Sequence, residues 1–310
     1  MTLLIKDLLE GDKNTIQALV GSSSTGTDKN GNPYLNVELR DNSGSISCKK
    51  WQPSESDKER LVAGNIIEVS LVVKKFNNSL QGDIYSLKLL NLDDIDVTRF
   101  IKPSPIPKEE LIKRFNKLVD SINDKDCKAL LDYFLKKFGD KVYISPAASS
   151  VHHEFSSGLL MHSVSLAEHA DYFAHYYEDI NRDLIVTGAL LHDFGKLIEL
   201  EGPAVYRYTT EGKLLGHISI MCGELRIASK ELGITSEVPI LLEHMVLSHH
   251  GQLEFGSPIM PLTREALLLS IIDNLDSKML VLDKAYEDVK PGEFTQRIFS
   301  LDNRSFYKAK

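Results

Sequence analysis

The spacing of apolar residues changes near residue 102, and this change divides the 310-residue chain into two parts. Before it, short β-branched runs alternate with turn residues, which is typical of strands. After it, apolar residues recur at spacings of three and four, as on the buried face of a helix. Three prolines in Lys102–Pro107 favour an extended segment between the two parts. We therefore predict a domain at residues 1–100, a proline-rich linker at 101–107 and a helical domain at 108–310.

The first part contains five predicted strands. They cover Ile16–Gly21, Tyr34–Arg40, Ser45–Trp51, Ile66–Lys75 and Tyr85–Leu92. A short helix is predicted at Ser54–Leu61, between the third and fourth strands. This order is typical of an OB-fold-like β-barrel, a platform for single strands and oligosaccharides. The predicted fold is thus multi-domain, with a small N-terminal β-barrel followed by an all-α domain.

Aromatic and basic residues of the barrel allow two interpretations. The aromatic side chains either stack on nucleobases or fill the barrel interior, and the lysines either meet phosphates or form a solvated edge. The residues concerned are Tyr34, Trp51, Phe76, Tyr85, Lys49, Lys50, Lys74 and Lys75.

The helical part begins with apolar repeats at Leu111–Ile122 and Leu130–Phe138, the second of which we expect to end at Gly139. Later helices are predicted at Leu159–Tyr177, Asn181–Leu197, Ile218–Leu232, Ser236–Ser248 and Thr263–Tyr286. Between two of these lies Val205–Gly216, which we interpret as a hairpin-like insertion able to form a lid or a wall of a site.

The run Leu184–Leu197 is predicted to be one buried helix that carries His192 and Asp193 side by side. An imidazole nitrogen and a carboxylate are half of a metal site, provided that further ligands arrive from other helices. The chain offers those ligands in the order His162, His217, His249, His250 and Asp273. Lys196 lies one turn after Asp193 and is expected to point toward the same place.

This set exceeds the four ligands of one tetrahedral ion. Two ions about 3.5 to 4 Å apart, bridged by Asp193, would use the surplus and are typical of phosphoester hydrolysis. Nitrogen and carboxylate ligands without thiolate suit Mn²⁺, Fe²⁺, Co²⁺ or Zn²⁺.

Composition excludes several other classes of protein. The start of the chain lacks the pattern of a secretory signal, and no apolar run reaches the roughly 20 residues of a membrane span, so we expect a cytoplasmic protein without membrane contact. Cys48, Cys127 and Cys222 are far apart and lack a paired spacing, so they are predicted to be buried thiols. A net charge of -8 argues against nonspecific coating of nucleic acid but permits a local basic groove.

Several motifs resemble the HD-domain metal-dependent phosphohydrolase superfamily in its five-histidine, two-metal form. They are Gly158–His162, Leu190–Lys196, Gly216–His217, Ser248–Gly251 and Ile272–Lys278. With the barrel in front and the ending Phe294–Tyr307, the layout is similar to the YhaM-type family of 3′-to-5′ exoribonucleases.

The resemblance implies a role for each matching residue. His162, His192, Asp193 and Asp273 match the metal ligands that HD domains share, and His217, His249 and His250 match the histidines that hold a second ion. Lys196 matches a lysine that neutralises the developing phosphoryl charge, so Lys196 and Asp193 are the candidate catalytic residues. Mn²⁺ is the favoured metal.

The remaining polar residues have modest expected roles. His169 lies seven residues after His162 and is expected either to pack on the same helical stripe or to support a ligand from behind. Asp276 is expected to orient a ligand histidine, whereas Glu199 and Glu201 are interpreted as a solvated face. His152 and His153 fall on a predicted loop that either is structural or binds phosphate at the mouth of the site.

The resemblance implies a metal-dependent 3′-to-5′ exoribonuclease that acts on single-stranded RNA, with single-stranded DNA as a second candidate substrate, and releases nucleoside 5′-monophosphates. One alternative is an HD phosphohydrolase of free or cyclic nucleotides. Another is a non-catalytic regulator that binds nucleic acid through the barrel. Nothing in the sequence selects an oligomeric state, so a homo-oligomer stays open.

Overall fold

A computed structural model describes residues 3–76, 79–91, 95–101, 104–146, 156–202, 206–287 and 289–310. Its contacts divide the chain into two compact units. One comprises Met1–Pro103 with Glu201–Arg207, and the other comprises Ser104–Leu200 with Tyr208–Lys310. Lys102 and Pro103 of the predicted linker lie outside the described residues. None of the described helices is long and apolar enough to cross a membrane.

The first unit is a closed five-stranded barrel with strand order β1-β2-β3-β5-β4. The strands are β1 (Lys13–Thr27), β2 (Pro33–Asp41), β3 (Gly44–Trp51), β4 (Ile66–Phe76) and β5 (Ser79–Leu89). All neighbouring strands are antiparallel except β3 and β5, whose parallel pairing closes the barrel. Helix α1 (Glu55–Arg60) lies between β3 and β4 in sequence, and Ser54 and Asp57 form a reciprocal capping box at its start. This topology is an OB fold, as predicted.

Strand β1 extends beyond its predicted end at Gly21. Lys13 to Leu19 pair with β4, and Leu19 to Thr27 pair with β2, with a register shift between Val20 and Ser22. The extension is almost entirely exposed, so no apolar alternation marks it in the sequence. Backbone hydrogen bonds to β2 hold it instead.

Strand β5 begins at Ser79, six residues before the predicted start, and ends at Leu89. The sequence does not indicate this early part as a strand, because Gly82 interrupts the strand pattern. In the structure Gly82 pairs with Cys48 of β3, and a Cβ at residue 82 would lie 2.6 Å from the Cys48 sulfur. Glycine is therefore required for the close approach that closes the barrel. Leu92, the last residue of the predicted strand, lies outside the described residues.

The barrel interior is aliphatic. Its buried cluster consists of Ile, Leu, Val, Ala and Cys side chains, and none of the described residues in it is aromatic. Trp51, Phe76 and Tyr85 are exposed instead. The interpretation that these aromatic residues fill the interior is therefore wrong, because branched aliphatic side chains already occupy the small lumen.

The second unit is helical, and its helices pack around one apolar cluster. They are α2 (Lys108–Asp120), α3 (Lys125–Phe138), α4 (Lys141–Ile144), α5 (Gly158–Tyr176), α6 (Arg182–Leu191), α7 (Lys196–Glu199), α8 (Thr210–Leu232), α9 (Val238–Ser248) and α10 (Arg264–Glu287). Gly139 ends α3 and Gly233 ends α8, both with positive φ angles, as their positions in the sequence predict. The three cysteines of the chain are buried free thiols, which confirms that prediction.

The predicted hairpin at Val205–Gly216 is wrong over most of its length. Strands β6 (Leu200–Glu201) and β7 (Arg207–Tyr208) each have only two residues, and α8 begins at Thr210. The Thr209 hydroxyl accepts a hydrogen bond from the Gly212 amide at 2.8 Å, which caps the helix. Gly216 then interrupts the helix with φ 72° and ψ 155°. Residues 210–215, which we predicted as part of the hairpin, are therefore a first helical segment before that kink. Val205 lies outside the described residues.

The predicted helix Asn181–Leu197 is two helices joined by a turn. Helix α6 ends at Leu191, and α7 begins at Lys196. The amide of His192 still bonds four residues back to Gly188, but those of Phe194, Lys196 and Leu197 bond only three residues back. The approach of α8 requires glycine in this turn, because a Cβ at Gly195 would lie 2.1 Å from the carbonyl oxygen of His217.

Candidate metal centre

The side chains predicted as metal ligands converge in the helical unit. They come from several elements: His162 from α5, His192 and Asp193 from the turn after α6, His217 from α8, His249 and His250 from the end of α9, and Asp273 from α10. Two groups of three each have ligand atoms within 4.8 Å of one another and could hold an ion: His162, His192 and Asp193, and His217, His249 and His250.

In the first group, the Nε2 atoms of two imidazole rings point toward each other. Nε2 of His192 lies 3.2 Å from Nε2 of His162. The Nδ1 proton of His192 is donated to the Ala189 carbonyl at 2.9 Å, and that of His162 to Asp276 at 2.8 Å. In neutral rings both Nε2 atoms therefore carry lone pairs. Two lone pairs at this distance need a proton or a cation between them.

Carboxylates complete the surroundings of that point. Oδ1 of Asp273 lies 3.2 Å from Nε2 of His162, and Oδ2 of Asp193 lies 3.4 Å from Nε2 of His192. Two carboxylates and two imidazoles around one buried point form a donor set that suits a divalent transition ion.

The second group surrounds the other oxygen of Asp193. Oδ1 of Asp193 lies 3.4 Å from Nε2 of His217 and 3.7 Å from Nε2 of His249. Among the described residues, these three atoms are buried and have no hydrogen-bond partner. The Nδ1 proton of His249 is donated to the Val246 carbonyl at 2.7 Å, so its Nε2 is free to bind a ligand. Unsatisfied buried polar atoms are costly, and a metal ion at this point would satisfy all three.

Asp276 and Glu199 orient two of these histidines. Asp276 accepts hydrogen bonds from Nδ1 of His162 and, at 2.6 Å, from the Ser165 hydroxyl. This is the position expected of a carboxylate that orients a ligand histidine. Glu199 accepts the backbone N–H of His217 at 3.0 Å, just after the kink at Gly216, and lies 3.4 Å from Nδ1 of His217.

The interpretation of Glu199 as a solvated residue is wrong, since its exposed fraction is 7%. The signal that could have identified it is its spacing: Glu199 follows Lys196 by three residues and so lies on the same side of the chain. Ser165 has the same kind of signal, because it follows His162 by three residues, and it is not among the residues that the sequence analysis identified.

Lys196 is paired with the buried Asp193. Its Nζ donates to Oδ2 of Asp193 at 2.6 Å. Burial opposes ionisation of Asp193, but the positive charge of Lys196 and the neighbouring histidines hold its pKa well below the usual range. Burial likewise opposes the charge on Lys196, and Asp193 raises the pKa of the lysine. Lys196 is therefore a fixed cation beside the ligand cluster.

The pKa of His162 is raised in the same way as that of Lys196. Burial disfavours its charged form, but hydrogen bonding to Asp273 and Asp276 outweighs burial and raises the pKa of His162 to about 10. Burial and the nearby histidines hold the pKa of His249 well below its usual value. Since ligands must be deprotonated, metal binding at His162 displaces a proton and depends on pH.

Among the described histidines, His169 belongs to neither group of ligands. His169 is exposed, so the prediction that it packs on the stripe of His162 is wrong. Leu166 and Phe173, on the same stripe, do contact the apolar core, so the exposure is confined to the position of His169. His152 and His153 lie outside the described residues.

The barrel carries a polar aromatic cluster on its surface. The rings of Tyr34 and Trp51 lie 5.1 Å apart, and Nζ of Lys49 lies 4.4 Å from the centre of the Tyr34 ring. Trp51 is 40% exposed, and its indole N–H donates to Asp83 at 3.1 Å. Lys74 donates to the same carboxylate at 2.6 Å. An exposed aromatic pair beside a lysine offers a stacking face for a base.

An OB-fold barrel together with a helical unit that carries this histidine and aspartate cluster defines a metal-dependent phosphohydrolase of the HD class. The HD domain family matches residues 159–278, which include every predicted ligand. A divalent metal is implied by that domain.

The chain belongs to the YhaM 3′-5′ exoribonuclease family. It is 42% identical to "3'-5' exoribonuclease YhaM" of Geobacillus sp. (strain WCH70), over 96% of this chain and 92% of that protein. It is also 42% identical to the protein of that name from Oceanobacillus iheyensis, over 94% of this chain and 92% of that protein.

Among solved structures, the barrel is similar to the second OB-fold domain of replication protein A from Methanococcus maripaludis. The match has 25% identity and a TM-score of 0.25, and it covers 29% of this chain and 95% of that one.

Proposed function

We propose that this chain is a metal-dependent exoribonuclease that degrades single-stranded RNA from the 3′ end and releases nucleoside 5′-monophosphates. The family supports the reaction and its direction. The observation that carries the chemistry is the pair of facing Nε2 atoms of His162 and His192, 3.2 Å apart with both Nδ1 protons donated elsewhere. That arrangement fits a cation between them.

Two ions are proposed, with Mn²⁺ favoured. His162, His192, Asp193 and Asp273 would hold one of them, and His217, His249 and His250, with the other oxygen of Asp193, would hold the second. Bound divalent ions supply Lewis-acid polarisation of the phosphoryl group and acidification of water. Asp193 is placed between the groups because each of its two oxygens faces a different set of histidines.

The protein side chains contribute positioning and charge. Lys196 is the fixed cation beside the cluster, and it is placed to stabilise negative charge that develops on the phosphoryl oxygens. Asp276 and Glu199 hold the rings of His162 and His217 in the tautomer that presents Nε2.

The proposal divides the work between the two parts of the chain. Residues 1–100 bind the single strand, with Tyr34 and Trp51 as the stacking pair and Lys49 near a phosphate, and residues 108–310 perform hydrolysis. A cytoplasmic location belongs to the same proposal. Single-stranded DNA is the second candidate substrate.

The experiment compares the full chain with an Asp193→Asn variant. Metal-stripped protein is incubated with a 5′-labelled RNA and a matched DNA, with and without added Mn²⁺, and the products are resolved on a gel. We expect a ladder that shortens from the 3′ end only when Mn²⁺ is present, and no ladder with Asp193→Asn. A His169→Ala variant, which changes an exposed histidine on α5, is the matched control and should act like the unaltered chain.

The absence of a ladder with the unaltered chain would contradict the proposal. Equal cleavage by Asp193→Asn would contradict the assignment of the metal centre. The released nucleotide identifies the bond that is cut: a 5′-monophosphate is expected, and a 3′-monophosphate would show that the other ester bond breaks.

A further inference from the structure

The segment that follows α10, Val289–Lys310, forms a small structured hairpin, which we call the C-terminal hairpin. Isolated bridges pair Phe294 with Tyr307 and Ile298 with Arg304. Within it, the side chains of Thr295 and Leu301 are buried. The segment therefore has a defined shape and can present side chains in fixed positions.

Lys308 anchors the C-terminal hairpin to the end of α10. Its Nζ donates to the carbonyl oxygens of Tyr286 at 2.7 Å and Val289 at 2.8 Å. The Tyr286 hydroxyl donates in turn to the Tyr307 carbonyl at 2.9 Å. A lysine at the carbonyl end of a helix also complements the helix dipole. The hairpin is thus attached to the helix that carries Asp273.

Three large aromatic side chains of the C-terminal hairpin are exposed. Phe299 is 92% exposed, Phe294 is 66% exposed and Tyr307 is 47% exposed. The rings of Phe294 and Tyr307 lie 5.2 Å apart at an angle of 51°. None of the three belongs to a described buried cluster, so packing within the unit does not account for them. Aromatic side chains concentrated on one exposed element indicate a binding surface.

The charge around these rings is positive, although the whole chain has a net charge of -8. Residues 290–310 contain five basic and two acidic side chains: Lys290, Arg297, Arg304, Lys308 and Lys310 against Glu293 and Asp302. Arg304 is paired with Asp302, and Lys308 serves the helix end. Lys290 and Arg297 are exposed, and no ion pair is found for either among the residues that the structure describes.

We propose that the C-terminal hairpin is a second binding surface for the single-stranded RNA substrate, in addition to the barrel. The bases of the RNA stack on Phe294, Tyr307 and Phe299, and its phosphates contact Arg297 and Lys290. Exposed aromatic rings among unpaired cations complement a flexible polyanion whose bases have π faces. A second copy of this chain, which is acidic overall and exposes aromatic rings of its own at Tyr172 and Tyr176, is the other occupant that the test distinguishes. This inference rests on the proposed function, because it assigns a contact to the same substrate.

The position of the hairpin predicts which nucleotides it contacts. Tyr286 follows Asp273 by 13 residues on α10, a distance of about 20 Å along the helix axis. An RNA whose 3′ end lies at the metal centre therefore reaches the hairpin only several nucleotides upstream. Long substrates use this surface, whereas a dinucleotide is too short to reach it.

The test measures binding and cleavage separately with the full chain. The double variant Phe294→Ala/Phe299→Ala removes the two most exposed rings of the hairpin, and Tyr172→Ala/Tyr176→Ala on α5 removes two other exposed rings as the control. The probe is a labelled oligoadenylate RNA of about 30 nucleotides, longer than the roughly 4 to 16 nucleotides that one OB fold covers. Binding is followed by fluorescence anisotropy in EDTA, so that no cleavage occurs.

We expect the hairpin variant to raise the Kd for this RNA at least about fivefold, because stacking on one aromatic ring contributes about 1 kcal/mol or more. The control should leave the Kd unchanged. Cleavage of a dinucleotide with Mn²⁺ should be the same in all three proteins. Arg297→Ala should make the plot of log binding constant against log salt concentration less steep, by the amount expected for the loss of about one phosphate contact.

An unchanged Kd in the hairpin variant would overturn the inference. So would a loss of binding that accompanies conversion of an oligomer to a monomer in sedimentation, since the hairpin would then serve contact between copies. These results are distinct from a failure of the proposed function, in which the unaltered chain with Mn²⁺ does not shorten the RNA at all.

Discussion

Removal of bound metal ions is expected to destabilise the helical unit, and the buried polar atoms of the centre set the size of the effect. Oδ1 of Asp193, Nε2 of His217 and Nε2 of His249 are buried without hydrogen-bond partners in the described structure. Each such atom costs about 1–3 kcal/mol, so a metal ion that satisfies all three stabilises the folded state by about 3–9 kcal/mol. For a unit of this size, 1 kcal/mol changes Tm by about 2–4 °C. Even the lower limit therefore predicts a rise of about 6–12 °C when metal binds.

The assay is thermal unfolding of EDTA-treated protein, followed by far-ultraviolet circular dichroism as Mn²⁺ is added. Helical signal reports the helical unit, because the barrel contributes only the short α1 and a few 3₁₀ turns. His249→Ala should lose most of the Mn²⁺-dependent rise in Tm. His169→Ala should keep it, because His169 is exposed and belongs to neither group of ligands.

The comparison uses the rise in Tm within each protein, since His249→Ala also leaves a cavity that lowers Tm by itself. A full rise in His249→Ala would refute the reasoning, because the stabilisation would then come from another site. A rise near zero in the unaltered chain would show that the unpaired atoms are satisfied without metal.

Three further changes test other parts of the structure. Asp276→Asn should weaken Mn²⁺ affinity by about 10–100-fold while the fold is retained, because the carboxylate orients His162; calorimetric titration measures this. Glu199→Gln should lower Mn²⁺ affinity and kcat together, because the amide holds the backbone and ring of His217 less firmly than the charged carboxylate does. Asp183 accepts two backbone N–H groups at the start of α3, and burial opposes its charge, but these hydrogen bonds and an adjacent arginine lower its pKa. The stabilisation by the Asp183 carboxylate is therefore present at neutral pH and is lost as the pH falls below 3.8, the usual pKa of an aspartate. Asp183→Asn should lower the free energy of unfolding at neutral pH and make it depend less on pH in the acid range, as measured by urea unfolding at a series of pH values.

Helices with a one-sided apolar pattern could be predicted closely from the sequence. Helix α5 was predicted at Leu159–Tyr177 and is found at Gly158–Tyr176. Such a pattern is a local property, because it records which face of a helix meets the core. The same reasoning failed for His169, which is exposed although Leu166 and Phe173 on the same stripe contact the core. Which residues of a stripe are covered depends on the neighbouring segments and not on the helix alone.

Features that depend on contact between distant segments could not be predicted. Helix α6 ends at Leu191, and α8 packs closely against Gly195 in the turn that follows; the apolar run Leu184–Leu197 by itself does not show that a second segment packs there. The burial of Glu199 likewise depends on the kink at Gly216, which brings the amide of His217 to the carboxylate. Residue types and their order identified the candidate ligands, but the partners that orient them became visible only in three dimensions.

The wide separation of the ligands along the chain has a consequence for synthesis. His162 leaves the ribosome 111 residues before Asp273, and the other candidate ligands lie between them. At roughly 5–20 residues per second, the nascent chain carries an incomplete set of ligands for about 6–22 seconds. The barrel is fully translated before the first of these ligands appears. Metal is therefore acquired late, by a chain whose first domain has already had time to fold.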